Sequence, residues 1–198
     1  ILKQNIMVLI NTIYFHSKWQ NPFNVSDTRL EQFGKSKTTV QMMSQKDKNH
    51  RYYEDTQNQV LEMDYNDGLF CMGFVLPKNE NQDPKCTDNQ FNYYMSNLKS
   101  KKINLVKIPR FKTDSRYSIS NLFKKYGLRE IFETLDLSMV QANNNLYISD
   151  VIHAAIIEVD ESGTKAAAAT GIFIKENCML KTEYISFVAN HPFLYYTN

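Results

Sequence analysis

The sequence lacks the features that mark a membrane span, a disulfide framework or a nucleic-acid-binding surface. Its apolar runs, such as residues 6–10, are far shorter than the roughly 20 residues of a transmembrane helix. Three cysteines without a C-x-x-C pair favour reduced thiols over disulfides or a zinc site. Because 23 basic residues nearly balance 21 acidic ones, no positive field would attract nucleic acid. We therefore expect no membrane span, metal, cofactor or nucleic-acid partner.

The composition is that of a globular chain. Its 198 residues are 42% hydrophobic and 13% aromatic, enough to fill a sizeable core. The sequence shows no internal repeat, low-complexity tract or linker, so we expect residues 1–198 to form part of one mixed α+β domain.

Apolar and alternating segments predict the positions of the strands. A continuously apolar segment predicts a central strand over residues 5–15. Further strands are predicted over residues 38–43, 59–65, 69–76 and 151–159, with a short one inside 103–112. Residues 79–89 are rich in turn formers and predict a loop, followed by a helix over 91–98. A second helix is predicted over 117–132, broken near Gly127.

Residues 161–174 have an unusual pattern. The even positions from 164 to 174 are uncharged, and the charges up to position 175 fall at the odd residues Glu161, Lys165 and Lys175. This period of two is typical of a strand, yet four consecutive alanines and two glycines have weak strand propensity. The pattern predicts a segment able to become a strand. An alanine-rich helix capped by Ser162 or Thr164 is the competing interpretation.

A loop that inserts into a sheet needs a flexible start and small neutral side chains on the face that becomes buried. Gly163 supplies the first requirement and the alanines of residues 166–169 supply the second. A buried unpaired charge on that face would cost several kcal/mol. The segment meets both requirements for insertion.

Several motifs around this loop occur in the order and spacing of the serpin family, which the sequence resembles from residue 6 to residue 196. Asn11 and Trp19 are separated by eight residues, as are His153 and Glu161, and the family pattern has the same spacing. The matching segments are residues 11–19, 22–23, 40–43, 76–77, 108–112, 161–170 and 190–194.

The resemblance implies a serpin fold, which is an α+β architecture of several sheets with surrounding helices and an exposed reactive-centre loop, here residues 161–182. It implies a suicide inhibitor and not an enzyme. The expected partner is a target serine protease, held as a covalent acyl-enzyme while the cut loop enters the central sheet. We expect a monomer without a cofactor, in which residues 5–15 and 151–159 are the strands that receive the loop.

The family's functional positions map onto this sequence residue by residue. Asn11 and His153 correspond to the shutter pair, and Trp19 to the breach residue. The hinge corresponds to Glu161, Ser162, Gly163, Thr164, Lys165, Ala166, Ala167, Ala168, Ala169 and Thr170. Lys165 departs from the acidic residue common at its position, but its outward charge can stay solvated.

The scissile bond has two candidate positions. Hinge length places the cut between Asn177 and Cys178, whereas similarity to ovalbumin-type, clade B members places it between Cys178 and Met179. A medium, weakly polar residue before the cut suits elastase-like or chymotrypsin-like pockets better than trypsin-like ones.

The resemblance covers only the C-terminal half of the family's fold. We therefore expect the N-terminal helical half and the last C-terminal strand to be missing from this sequence. Together with the unpaired cysteines, the resemblance to ovalbumin-type members implies a leaderless cytoplasmic protein that can also be released, whereas the Asn24-Val25-Ser26 sequon leaves secretion open. Two other functions remain as alternatives. One is a non-inhibitory serpin, such as a chaperone or carrier, and the other is a hydrolase that pairs Cys178 with His191 or His153.

Overall fold

The computed structural model describes residues 5–14, 17–133, 139, 146–163 and 184–198. The strands are β1 (Asn5–Tyr14), β2 (Arg29–Phe33), β3 (Thr38–Glu54), β4 (Asn58–Asp64), β5 (Cys71–Pro77), β6 (Lys99–Pro109), β7 (Phe111–Ser118), β8 (Leu146–Val159), β9 (Ser186–Val188) and β10 (Leu194–Thr197). The helices are α1 (Asp88–Asn97), α2 (Ser120–Lys125) and α3 (Glu130–Glu133), with a 3₁₀ turn at Val25–Asp27. In the described part of the chain, no helix is both long and apolar enough to span a bilayer.

The chain divides into two compact units. The first comprises residues 1–15 and 112–158, and it contains almost all of a three-stranded sheet in the order β1-β8-β7. β1 and β8 are parallel and directly adjacent, with Asn11 opposite His153. The strand predicted over residues 5–15 is therefore confirmed. It is an edge strand within the described sheet, with Ile10 67% exposed, and the prediction of a central position is wrong for the described residues.

The second unit comprises residues 16–111 and 159–198 and is built on a seven-stranded sheet. Along its main path the strands follow the order β10-β5-β4-β3-β6-β9, and β2 pairs with β3 beside this path. The apolar residues of β4 and β5 are almost completely buried, and Val60 and Val75 pack with Tyr94 of α1. Because α1 begins with a capping box between Thr87 and Gln90, its first turn has hydrogen-bond partners.

Three strands, β3, β6 and β8, are longer than the sequence predicts. β3 has 17 residues and β6 has 11, although the middle of β3 is polar and charged. β3 and β6 pair from Met42 opposite Pro109 to Tyr52 opposite Lys99, so backbone pairing overrides the weak side-chain pattern. The prediction of a short strand within residues 103–112 is wrong, because this region forms most of β6 and the start of β7.

The helix predicted over residues 117–132 is only partly confirmed. Tyr117 lies in β7, and the helical residues divide into α2 and α3 on either side of Gly127, which has a φ of +86°. Ser118 and Ser120 both donate to Oδ1 of Asp150, at 2.5 and 2.6 Å. These bonds to β8 hold residues 117–118 in an extended conformation, which their local helical pattern did not predict.

Candidate functional site

The chain makes a tight turn directly after β8, at the start of the expected reactive-centre loop. The Asp160 and Gly163 backbones exchange two hydrogen bonds of 3.0 and 3.2 Å, and the Ser162 amide donates to Asp160 Oδ1 at 2.9 Å. Gly163 has a φ of +118°, which side chains other than glycine rarely adopt. The structure therefore holds Glu161 to Gly163, the first residues of the predicted hinge, in a defined turn.

Gly163 is also required by its neighbours. A Cβ built on it would lie 2.6 Å from the Trp19 amide nitrogen and against the Ser17 carbonyl oxygen. Both neighbouring atoms belong to the backbone, so neither can rotate away as a side chain would. The sequence suggests a glycine at position 163 because the loop needs a flexible start. The structure adds a second reason, because there is no space for a Cβ at this position.

Trp19, the predicted breach residue, is held against this turn. Its amide donates to the Ser162 carbonyl and its indole Nε1 donates to the Asp160 carbonyl, each at 2.9 Å. The buried indole also stacks on Tyr65, with ring centroids 4.5 Å apart and planes 7° from parallel. These contacts place Trp19 at the point where the loop leaves the described sheet structure.

Glu161 is the most buried charge of this region, at 3% exposure. Its Oε1 accepts from the Thr28 hydroxyl at 2.6 Å, and its Oε2 forms an ion pair with the Arg110 guanidinium. Burial favours the neutral acid, but the bonds from Thr28 and Arg110 outweigh it and hold the pKa of Glu161 below its usual value. The carboxylate is therefore charged and paired at neutral pH.

Four residues of this region were not predicted from the sequence, namely Thr28, Tyr65, Arg110 and Asp160. Arg110 lies within the family-like segment 108–112, which is a signal that sequence reasoning could have used. Thr28, Asp160 and Tyr65 lie outside the quoted motifs. We refer to Trp19, Thr28, Arg110 and residues 160–163 together as the loop base.

The predicted shutter pair lies in the three-stranded sheet. Asn11 and His153 are directly opposite each other on β1 and β8, and Nδ2 of Asn11 is 3.5 Å from Nδ1 of His153. This distance is at the outer limit of a hydrogen bond, and the Asn11 side chain is exposed. The structure brings the pair together, and their side chains share a single weak contact.

The remaining predicted site residues fall outside the described part of the chain. They are the later hinge residues Thr164 to Thr170 and the residues of the candidate scissile bonds, Asn177, Cys178 and Met179. The described chain resumes at residue 184, and β9 begins at Ser186, where it pairs with β6. Among the described residues, no group of three or more potential metal ligands occurs.

His191, one partner in the hydrolase alternative, has a structural contact. Its Nε2 lies 2.7 Å from the Pro77 carbonyl oxygen, and because a carbonyl only accepts, Nε2 donates that bond. The residue is also buried, at 6% exposure. These contacts give His191 a packing role between β5 and the chain before β10, and they provide no support for a catalytic base.

Comparison with known proteins identifies the relatives of this chain. The family model described as Serpin (serine protease inhibitor) matches residues 1–198. Leukocyte elastase inhibitor A of Mus musculus is 36% identical over 205 residues, covering 96% of this chain and 54% of that protein. The structure of Serpin48 from Tenebrio molitor has a TM-score of 0.71 and 29% identity, covering 96% of this chain and 52% of that one. Human thyroxine-binding globulin, solved in complex with thyroxine, has a TM-score of 0.78 and 25% identity, covering 100% and 53% of the two chains. The chain thus spans about half the length of the relatives it matches.

Proposed function

The chain belongs to the serpin family, and we propose that the complete protein inhibits serine proteases by acting as a suicide substrate. In this proposal the protease cuts the loop of residues 161–182 and remains attached to it as an acyl-enzyme. The loop then enters the sheet between β1 and β8, which is the known mode of strand addition in this family. The protein forms one covalent complex per molecule and does not turn over a substrate.

The observation that carries this proposal is the direct pairing of β1 with β8. The two strands are parallel over their whole common length, and β8 continues directly into the turn at residues 160–163. A loop that starts at the end of β8 is suitably placed to fold back beside β8 as an antiparallel strand. The uncharged even positions 164–174 would then occupy one face of the enlarged sheet.

Insertion would release enough free energy to drive trapping. A dozen new strand residues, each gaining about 0.5–1.5 kcal/mol net from ladder hydrogen bonds, give on the order of 10 kcal/mol. This gain is comparable with the total stability of an ordinary domain, about 5–15 kcal/mol. The Asn11–His153 contact would have to part during insertion, and its 3.5 Å length makes it a weak barrier.

The residue before the cut favours elastase-like or chymotrypsin-like targets. Asn177 and Cys178 are both uncharged, and a trypsin-like pocket requires a cation to meet its buried carboxylate. The relative named leukocyte elastase inhibitor A agrees with this class of target. We infer that the acyl-enzyme forms at Asn177 or at Cys178.

The proposal is tested by mixing the complete protein with chymotrypsin or elastase and looking for a complex that survives SDS gel electrophoresis. Ala168→Arg should abolish the complex while leaving cleavage intact, because the guanidinium would have to enter the buried face of the sheet. Ala167→Arg is the matched control, since an odd position faces outward and trapping should persist. Undiminished trapping by Ala168→Arg would contradict the insertion mechanism.

A non-inhibitory carrier is the second candidate function. Thyroxine-binding globulin, with a TM-score of 0.78, is a relative that has been solved with a small molecule bound. The gel separates the two functions, because a carrier would be cleaved by the protease without forming a stable complex. The small, neutral side chains of residues 166–169 favour the inhibitor, since insertion has no steric barrier there.

A further inference from the structure

A cavity of about 1000 Å³ opens on one face of the seven-stranded sheet. Ser44 pairs with Lys107 and Lys46 with Leu105, so these residues of β3 and β6 share that face. The other lining residues come from β2 and the chain before it, from residues 45, 47 and 48 of β3, and from Lys102. The volume is at the upper end of the range of about 300–1,000 Å³ for ligand pockets, and it has room for several amino-acid residues.

The lining is charged, with an excess of positive side chains. Its five cations are Arg29, Lys46, Lys48, Lys102 and Lys107, and its three carboxylates are Asp27, Glu31 and Asp47. Two of the carboxylates already pair with lining cations, as Lys107 Nζ lies 2.6 Å from Glu31 and Lys102 Nζ lies 3.3 Å from Asp47. The excess positive charge therefore favours a negatively charged ligand.

We propose that this cavity binds an acidic, extended polypeptide segment of a partner protein. Carboxylate side chains of the segment would meet Lys46, and its apolar atoms would contact Pro22 and Leu105 of the lining. A polypeptide also has backbone N–H groups, which can donate hydrogen bonds to the carboxylates of the lining. A sulfated polysaccharide offers little apolar surface to Pro22 and Leu105, so the peptide fits the mixed lining better.

The test measures binding of a fluorescein-labelled octapeptide of alternating glutamate and alanine to the complete protein by fluorescence anisotropy. We expect saturable binding at low salt that weakens as ionic strength rises, because surface charges are then screened. Lys46→Glu should lower the affinity about tenfold by replacing an attraction with a repulsion. Lys85→Glu makes the same charge change at an exposed position outside the lining and should change the affinity less than about twofold.

Four results would overturn the proposal. They are the absence of saturable binding, equal weakening by both variants, tighter Lys46-dependent binding of a heparin octasaccharide, or a structure of the complete protein in which its own residues fill the cavity. Peptide binding is measured without a protease, whereas trapping is measured on a gel. If no peptide binds, the proposed inhibitor function is unaffected. If no protease complex forms on the gel, the proposed peptide site is unaffected.

Discussion

The loop base and the Asn11–His153 pair are bonded in opposite ways. At the loop base, a buried carboxylate, a stacked indole and a tight turn are joined by several hydrogen bonds of 2.6–3.2 Å. The side chains of Asn11 and His153 share one contact of 3.5 Å, and the Asn11 side chain is exposed. The region from which the loop starts is held firmly, whereas the pair that would part during insertion is held weakly.

This difference has a physical consequence for the proposed mechanism. A loop can insert in a defined register only if its first residues stay fixed, because a slip of one residue moves every side chain to the other face. The strands that receive the loop must separate at small cost. Stability measurements on the complete protein should therefore show large effects at the loop base and small ones at the pair.

Gly163→Ala should have the largest effect. The substitution adds a Cβ 2.6 Å from the Trp19 amide nitrogen at a φ of +118°, so steric and backbone strain combine. We expect the free energy of unfolding in urea to fall by about 2–4 kcal/mol.

Gly68→Ala is the matched control for this substitution. Gly68 also has a positive φ, of +67°, but a Cβ there meets no atom within 4 Å. Only backbone strain remains, and the cost should be about 1 kcal/mol. Equal costs at Gly163 and Gly68 would show that the loop base is not closely packed.

Arg110→Met should have the next largest effect. It leaves Glu161, at 3% exposure, without its cation, although Thr28 still donates to it. Removing one partner of a fully buried pair costs about 3–5 kcal/mol, and because Arg110 is half-exposed we expect about 2 kcal/mol. Lys112→Met breaks the exposed Lys112–Glu158 pair of 3.4 Å and should cost less than about 0.5 kcal/mol.

The Arg110–Glu161 pair also predicts a pH dependence. The folded pKa of Glu161 lies below its ordinary value of 4.5, so the unfolded chain takes up the proton first as the pH falls. The contribution of the ion pair to the free energy of unfolding is complete above pH 4.5, and it is lost as the pH falls through the folded pKa of Glu161. Arg110→Met should therefore show a shallower loss of stability in acid, and an unchanged acid slope would mean that the pair does not hold the carboxylate ionised.

His50 contributes a separate acid effect. Burial lowers its pKa from 6.5 to about 4, so the unfolded chain binds its proton first and stability falls over that window. The titration of His50 affects the wild type and Arg110→Met equally. It therefore cancels when the unfolding free energies of the two proteins are subtracted at each pH. A His50→Gln background would confirm this separation.

Trp19→Phe should have a smaller effect than Arg110→Met. Phenylalanine can keep the stack on Tyr65 but loses the Nε1 bond of 2.9 Å to the Asp160 carbonyl, for a cost of about 1–2 kcal/mol. Trp19→Leu also loses the stack and should cost about 1 kcal/mol more in the same urea titration. If the two variants were equally stable, the stack on Tyr65 would have no stabilising role.

The sequence located the strands and several residues of the loop base and of the Asn11–His153 pair. It predicted less well which distant side chains these residues contact. Apolar patterning located β1 and part of β8, and the family resemblance pointed to Asn11, Trp19, His153 and Glu161. Thr28 and Arg110 were missed because they lie 133 and 51 residues from Glu161, and local patterns carry no information about such distant pairs. The polar middle of β3 was missed for the same reason, since its extended form depends on pairing with β6.

Asn11→Ala should have the smallest effect. The lost contact is long and the side chain is exposed, so water replaces it and the cost should be below about 0.5 kcal/mol. A double-mutant cycle with His153→Ala should give a coupling energy of similar size, measured from urea midpoints of the complete protein. A coupling above about 2 kcal/mol would make the pair as firm as the loop base, and the sheet could then not open at that point as the insertion mechanism requires.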